Sequence, residues 1–523
     1  MIYSEKQYKD LQLKYEKELQ KLKKENELKD KENKLLIKQN KEKDEVIYDL
    51  DSNNYKQKYN TVLAEKNILS TINNEQKEEI EELKKKVKDL QKQLGIQKVR
   101  TEKDSSNSSK PSSTNGFKKV ITNRREKSNK KLGGQTGHVG AFLRDPNERV
   151  NVEAKDVETE VIEIGKNEEN KDKKVIIRKV IDIEVKTKIT IYKYYPDSKG
   201  KYNIRKEHNT PIQYGANIKA IAVNLMISAN NSTDAVVDFF DSITNGVIKL
   251  SKGSLIAWQE KSAEMLIPEL QSIQKNLMKS YYTNNDESQI KINGEAFNVI
   301  GSCNDKYTRL WTSKHKSQEA IEEIGFLNNY DGIVVKDGTD LYNHCGKERA
   351  QCLSHILRYI KGITDFNNHV GAKEMSKLLS DINKKRNEYI DDGKEKFEEK
   401  EIEEFNKNFE KIFKKWKHEW MQSSEEENQV YDDERKLLSR FEDKKELKEI
   451  LYFVNDFKIP STNNQMERGL RPVKIKQKIG KFRSTRGAEN YVEIRSCIDT
   501  YKKQNYSPFD MLLKGFNGEL QIV

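Results

Sequence analysis

Residues 281–312, YYTNNDESQIKINGEAFNVIGSCNDKYTRLWT, contain the clearest strand pattern in the chain. Polar and apolar residues alternate along this stretch with the two-residue period of a half-buried strand. Asn293-Gly294 and Asn304-Asp305 are dipeptides typical of tight turns, and they divide the stretch into three runs. The pattern therefore predicts three strands in an antiparallel meander, with Asp286 on the first of them.

Two more carboxylates stand at positions where chemistry is expected. Asp337 directly follows the apolar run GIVVK, at the C-terminal tip of a predicted buried strand, where active sites often lie. The later segment STNNQMERGLRP predicts a capped helix that carries Glu467. Asp286, Asp337 and Glu467 could converge to hold two divalent cations at a phosphodiester. Because the chain has 85 acidic residues, spacing alone leaves many other triples open.

The overall composition excludes several classes of protein. A chain of 523 residues is too long for a single core, so several domains are expected. The formal net charge of +12 favours a polyanionic partner such as nucleic acid. Four cysteines form no disulfide framework, and the sequence shows neither an apolar signal core nor a membrane span. These features predict a cytoplasmic protein.

The N-terminal part, residues 1–97, predicts a long helix. It lacks proline and contains one glycine, and apolar residues step by three and four as in a coiled-coil seam. The clearest seam positions are Ile80, Leu83, Val87, Leu90 and Leu94. We predict a coiled-coil helix that forms a homodimer, with a solitary solvated helix as the alternative.

A basic flexible linker is predicted over residues 98–145, which are rich in Ser, Asn, Gly and Lys. Its cations could lie along DNA phosphates, although a purely solubilising linker remains an alternative. The candidate phosphate contacts in this linker are Arg124, Arg125, Lys130 and Lys131.

Three further regions differ in their periodicity. Residues 146–212 alternate with the strand period and predict a small β-rich module. Residues 213–275 predict three short helices, either a helix-turn-helix-like unit or a plain small bundle. Residues 365–451 have a helical period, and their aromatic stripe, including Trp416 and Trp420, is expected to be core rather than a base-stacking surface.

Eight segments occur in the order found in a known family. They are NSSKPSS, GGQTGHVG, DES, GIVVKDG, CLSHILR, NNQMERGLRP, STRGAENY and SPFDMLLKGF. From about residue 105 to the C-terminus, the chain thus resembles the DDE transposases of the insertion sequence 66 family. The resemblance implies a ribonuclease-H-like core in two parts, residues 276–364 and 452–500, separated by the helical insertion and followed by a C-terminal tail, residues 501–523. It also implies that Asp286, Asp337 and Glu467 are the catalytic and metal-binding residues.

The fold class expected from residues and resemblance together is multidomain α+β. It comprises an N-terminal coiled coil, a small β module, a helical DNA-binding-like unit and a ribonuclease-H-like core with an all-helical insertion. The basic stretch after Glu467 is expected to hold DNA phosphates. Its candidate contacts are Arg468, Arg471, Lys474, Lys476, Lys478, Lys481, Arg483 and Arg486.

The resemblance implies a magnesium-dependent enzyme, in which Mn²⁺ can substitute, acting on double-stranded DNA at transposon ends and target. Accessory proteins of the same element are further expected partners, and the expected location is the bacterial cytoplasm at the nucleoid. Family members usually carry a cysteine-rich zinc module, whereas this chain has no cysteine before Cys303, so no zinc is expected. The cluster His344, Cys345, Cys352 and His355 matches no zinc spacing. A catalytically silent DNA-binding descendant and a metal-dependent nuclease remain alternatives.

Overall fold

A computed structural model describes residues 5–52, 56–102, 160–164, 177–205, 207–208, 210–423 and 429–522. Two compact units are distinguished, one of residues 1–115 with 192–523 and one of residues 116–191. The candidate linker contacts Arg124, Arg125, Lys130 and Lys131 lie outside the described residues. None of the described helices combines the length and hydrophobicity needed to span a bilayer.

The first two helices, α1 (Glu5–Ser52) and α2 (Lys56–Glu102), pack against each other as an antiparallel hairpin. Two ion pairs, Lys29–Glu79 and Lys43–Glu65, join the helices. A later residue of α1 thus pairs with an earlier residue of α2, as in an antiparallel arrangement. Ile80 on α2 is buried in the described structure. Helix α2 also extends five residues into the predicted linker, 98–145.

The predicted seam residues Ile80 and Leu83 of α2 are therefore buried within the chain. They pack against α1 of the same chain, and the predicted homodimer stays a prediction. Only three residues join the two helices, so the intrachain partner is present at a much higher effective concentration than another molecule.

The predicted β-rich module, 146–212, does not form strands where it is described. Residues 160–164 and 177–205 contain a single isolated bridge, Pro196 to Tyr202, and no strand. The alternating apolar side chains are exposed, with Ile183 85% accessible. Alternation alone stabilises a sheet only when another layer covers the apolar face, and these residues have no such cover.

A five-stranded mixed sheet lies at the centre of the first unit, in the order β3-β2-β1-β4-β5. The strands are β1 Tyr282–Ile292, β2 Glu295–Cys303, β3 Thr308–Ser313, β4 Ile333–Lys336 and β5 Glu348–Gln351. The pairs β1–β2 and β2–β3 are antiparallel, which confirms the predicted meander, whereas β4 and β5 run parallel to β1. Asn293 and Gly294 both have positive φ, 49° and 91°, as a tight hairpin turn requires.

Helices precede and follow the meander. The four preceding helices are α3 Ala216–Ile227, α4 Thr233–Ile243, α5 Lys252–Met265 and α6 Ile267–Met278, and α7 (Gln318–Ile324) follows β3. The region predicted as helix-turn-helix-like, 213–275, is thus helical but contains one helix more than expected, and α6 extends beyond its end. Its buried side chains, such as Val223 and Leu255, belong to the same hydrophobic core as the sheet.

A second hydrophobic core lies among the helices between β5 and the segment that carries Glu467. These helices are α8 Leu353–Thr364, α9 Val370–Asp391, α10 Glu399–Gln422, α11 Gln429–Glu442, α12 Lys444–Ile450 and α13 Tyr452–Asn455. Trp416 is fully buried, and Trp420 stacks on Tyr431, as expected for a core stripe. Glu434 is fully buried beside Trp416 and accepts hydrogen bonds from Trp416 Nε1 and Asn367 Nδ2.

The last three helices are α14 Asn464–Ile479, α15 Thr485–Lys503 and α16 Pro508–Asn517. Helix α15 covers strand β3, where Ser496 Oγ accepts from Leu310 N at 2.9 Å and Thr500 Oγ1 accepts from Thr308 N at 3.0 Å. These hydroxyls satisfy backbone groups of an edge strand that would otherwise be open to pairing. The predicted tail, 501–523, includes α16, whose Leu512 is fully buried.

Candidate active site

Asp286 lies on β1, and Asp337 directly follows β4, the parallel strand beside it. The last paired residues of β1 and β4 are Asn284 and Val335. Asp286 lies two residues further along β1, and Asp337 lies two residues after Val335, directly beyond the end of β4. Successive odd and even residues of a strand point to opposite faces, so a two-residue step leaves both side chains on the face of their paired neighbours. The sheet therefore brings the first two predicted carboxylates together.

The electrostatics of Asp286 reflect this pairing. Burial and, to a lesser extent, the negative charges of Asp337 and Glu287 raise the pKa of Asp286 to about 8, while Lys474 acts in the opposite direction. Neighbouring carboxylates that cannot both ionise easily are a common property of catalytic sites. This position has an excess of negative charge that a cation would relieve.

Glu287 is a fourth carboxylate nearby, and the sequence analysis did not single it out. Tyr342 donates its hydroxyl to Glu287 Oε2 at 3.0 Å, and Lys316 Nζ lies 3.1 Å from Oε1. Both oxygens of Glu287 thus have protein partners. The only sequence signal was its place beside Asp286 in the segment DES.

Helix α14 is held against the sheet at the residues that precede Glu467. Asn463 Nδ2 donates to Asn285 O at 2.7 Å, and Asn284 Nδ2 donates to Gln465 Oε1 at 2.8 Å. Asn463 is the residue before the helix, but its side chain makes no cap bond and binds β1 instead. These bonds fix the start of α14 beside the strand that carries Asp286.

Glu467 is half-buried, and its carboxylate contacts helix α8. Arg358 Nη2 lies 3.5 Å from Glu467 Oε1 and 3.1 Å from His355 Nε2. Burial and the Arg358 charge lower the pKa of His355, while the charges of Asp337 and Glu467 raise it. Asp337 and Glu467 therefore both act on the imidazole of His355, so the two carboxylates lie near the same side chain.

The metal-ligand groups among the described residues differ from the predicted set. Cys352, His355 and Glu467 have ligand atoms within 4.8 Å of one another, as do His315, Glu319 and Glu323. The three predicted carboxylates do not form such a preassembled group. His344 and Cys345 were part of the cluster noted in the sequence, but they do not belong to the group formed by Cys352 and His355. Burial raises the pKa of the Cys345 thiol to about 11.

A basic surface extends from Glu467 along α14 to the start of α15. Its exposed members are Arg468, Arg471, Lys474, Lys478, Lys481, Arg483 and Arg486. Lys476 is half-buried, and burial lowers its pKa. Arg486 also lies 3.8 Å from Glu260, whereas Lys474 acts on Asp286. Of the predicted cations, Lys474 thus acts on a site carboxylate.

The comparisons with known proteins identify the central part of the chain. A family model described as "Transposase IS66 family" matches residues 239–490. Over these residues the chain is similar to the transposases of the IS66 family. The matched residues include the sheet, all three predicted carboxylates and the basic surface. Residues 64–144 match a family of unknown function, DUF6444. No curated protein and no solved structure gives a match.

Similarity to a transposase family suggests a DNA-cleaving enzyme, of which DNA binding and a divalent metal requirement are expected. The donor set fits a hard cation, because Asp286 and Asp337 offer carboxylate oxygens at a position with unbalanced negative charge. Glu467 offers another carboxylate, on the helix that packs against the strand of Asp286.

Proposed function

We propose that this protein is a transposase that binds the terminal inverted repeats of its element, cleaves a phosphodiester there and joins the freed 3′ hydroxyl to target DNA. The observation that supports the proposal is that Asp286 on β1 and Asp337 at the end of the adjacent parallel strand β4 are close enough for Asp337 to raise the pKa of Asp286. In a structural ion-pair network, basic side chains would balance the negative charge of the carboxylates. In a metal site, this charge stays unbalanced until the cations bind.

The proposed metal ligands are Asp286, Asp337 and Glu467, and the proposed ion is Mg²⁺, with Mn²⁺ as a substitute. When bound, the ions would activate the attacking oxygen and stabilise the leaving one. The strand order and directions, three antiparallel strands followed by two parallel ones, support assignment to the ribonuclease-H-like class. In this assignment, Lys474 limits the repulsion between the carboxylates and the approaching phosphate.

The exposed cations of the basic surface are proposed to hold the DNA backbone beside the carboxylates. Such contacts add affinity and register without reading sequence. The basic residues of the linker, Arg124, Arg125, Lys130 and Lys131, are proposed to add further phosphate contacts. Two copies are proposed to act together, one at each transposon end, as a homodimer through the N-terminal coiled coil. Accessory proteins of the same element remain proposed partners.

The experiment that tests the proposal is strand transfer in vitro, with purified protein, a labelled fragment that carries the repeats flanking the gene, a target plasmid and Mg²⁺. We expect cleaved and joined products with the wild type and neither with Asp337→Asn. Asp331→Asn, an exposed aspartate at the other end of β4, is the matched control and should retain activity. Cleavage without joining would favour a nuclease. Binding without either reaction, in Mg²⁺ and in Mn²⁺, would favour a catalytically silent DNA-binding protein.

A further inference from the structure

Arg358 is the residue whose contacts the proposed function leaves unexplained. Its guanidinium, 17% exposed, lies 3.5 Å from Glu467 and 3.1 Å from His355, and its Nε donates to Ser354 O at 3.2 Å. An arginine has donors only, so His355 Nε2 must accept, and the imidazole is then neutral with its proton on Nδ1. That Nδ1 is buried and has no hydrogen-bond partner in the described structure. His355 therefore orients the guanidinium without competing for Glu467 as a second cation.

The ion pair between Arg358 and Glu467 affects metal binding. The carboxylate that Arg358 holds is one that the proposed function assigns to a metal ion. Two cations cannot both gain the full attraction of the same carboxylate, so the arginine opposes metal binding at Glu467. Once the carboxylate turns to a metal ion, a mostly buried guanidinium is left without an anion, which is costly unless another anion takes its place.

We propose that Arg358 is an exchangeable partner of Glu467: it holds the carboxylate before the metal arrives and then binds a non-bridging oxygen of the DNA phosphodiester. The planar guanidinium matches a phosphate with two parallel hydrogen bonds, which lysine cannot reproduce. Arg358 thus couples occupancy of the metal site to capture of substrate. This inference rests on the proposed function, because it takes Glu467 as a metal ligand and a phosphodiester as the substrate.

The first test measures Mn²⁺ binding by calorimetry on the full chain without DNA. The Arg358 guanidinium contacts a carboxylate that would bind the metal ion, so its positive charge repels the ion. Arg358→Met removes this charge and should therefore bind Mn²⁺ about tenfold more tightly than the wild type. Arg358→Lys retains the charge and should bind Mn²⁺ with nearly wild-type affinity. Lys361→Met removes a charge from the exposed side of the same helix and should change the affinity by less than about twofold.

The second test measures single-turnover cleavage at saturating Mn²⁺. Both Arg358→Met and Arg358→Lys should cleave more slowly, by about a hundredfold and tenfold respectively, because loss of one donor to a phosphate typically costs this much. Tighter metal binding combined with slower cleavage is the result that a purely structural role would not give. Equal or weaker Mn²⁺ binding by Arg358→Met, with an unchanged thermal midpoint, would overturn the inference while leaving the proposed function intact. A wild type that binds no Mn²⁺ would contradict both.

Discussion

Gly301 and Met466 are in contact at the point where helix α14 crosses the sheet. Gly301 on β2 pairs with Asp286 on β1, and Met466 is the residue before Glu467. A β-carbon built at Gly301 would lie 2.5 Å from Met466 Cε and 2.9 Å from Leu310 Cδ2. The absence of a side chain at Gly301 therefore lets the helix that carries Glu467 approach the strand that carries Asp286.

The first prediction concerns this contact. Gly301→Ala should force the buried side chains of Met466 and Leu310 to repack, costing about 1 to 3 kcal/mol of stability and lowering the strand-transfer rate, because Met466 adjoins Glu467 on α14. Gly215→Ala, at a glycine with open space around it and ordinary φ, is the control and should have little effect. Gly301→Ala combined with Met466→Ala should recover part of the activity. Full activity in the single variant would contradict the assigned role of this contact.

The second prediction concerns Asn463, whose side chain joins α14 to β1. Asn463→Ala removes the donor to Asn285 O and leaves a buried carbonyl unpaired, at a cost of about 1 to 3 kcal/mol. Urea unfolding should show this loss, and the cleavage rate should fall with it. Asn464→Ala, at the exposed next residue, is the matched control. Equal stability of the two variants would show that the hydrogen bond does not anchor the helix.

The third prediction is the pH dependence of the metal-free protein. An unfolded aspartate has a pKa near 4, whereas the folded pKa of Asp286 is raised to about 8. Between these values the folded state binds more protons than the unfolded one, so Asp286 lowers the free energy of unfolding as the pH rises from 4 to 8. Asp286→Asn should remove this decline and stabilise the protein at pH 8 by about 2 kcal/mol, a figure discounted for partial exposure.

Urea unfolding in EDTA at pH 5 and pH 8 measures this effect, with Asp331→Asn as an exposed control. The difference between wild type and Asp286→Asn should be larger at pH 8 than at pH 5. An equal difference at both values would mean that Asp286 has an ordinary pKa in the folded protein.

The fourth prediction tests the basic surface. Replacing Lys478, Lys481 and Arg483 together by Gln should weaken binding to DNA of any sequence. The slope of log affinity against log salt should fall by about 3, close to one unit for each lost phosphate contact. The same change at the exposed residues Lys407, Lys411 and Lys414 of α10 is the charge-matched control. An equal loss in both triple variants would show that net charge alone drives binding.

The parts of this fold that were predictable from sequence are those fixed by local pattern. The meander follows from alternation of side chains and from Asn293-Gly294, whose positive φ values suit few other residues. Asp337 could be placed because an apolar run of strand length ends directly before it. The burial of Trp416 followed from its position on an aromatic helical stripe.

The remainder depends on contacts between distant segments. A heptad pattern predicts that a seam exists but not which helix fills it, so the intrachain partner of α2 was missed. Alternation over residues 146–212 predicted strands, but strand formation also needs a covering layer, which sequence does not reveal. The ion pair of Arg358 and Glu467 spans more than a hundred residues, and no spacing rule connects them.

The central claim is that Asp337 binds a metal ion that acts in DNA cleavage and joining. Its most direct test is Asp337→Cys, assayed for strand transfer in Mg²⁺ and then in Mn²⁺, because a thiolate is a poor ligand for Mg²⁺ and a better one for softer ions. We expect no product in Mg²⁺ and measurable product in Mn²⁺, while Asp331→Cys is active in both. Equal strand transfer by Asp337→Cys in both metals would contradict the assignment of Asp337 as a metal ligand.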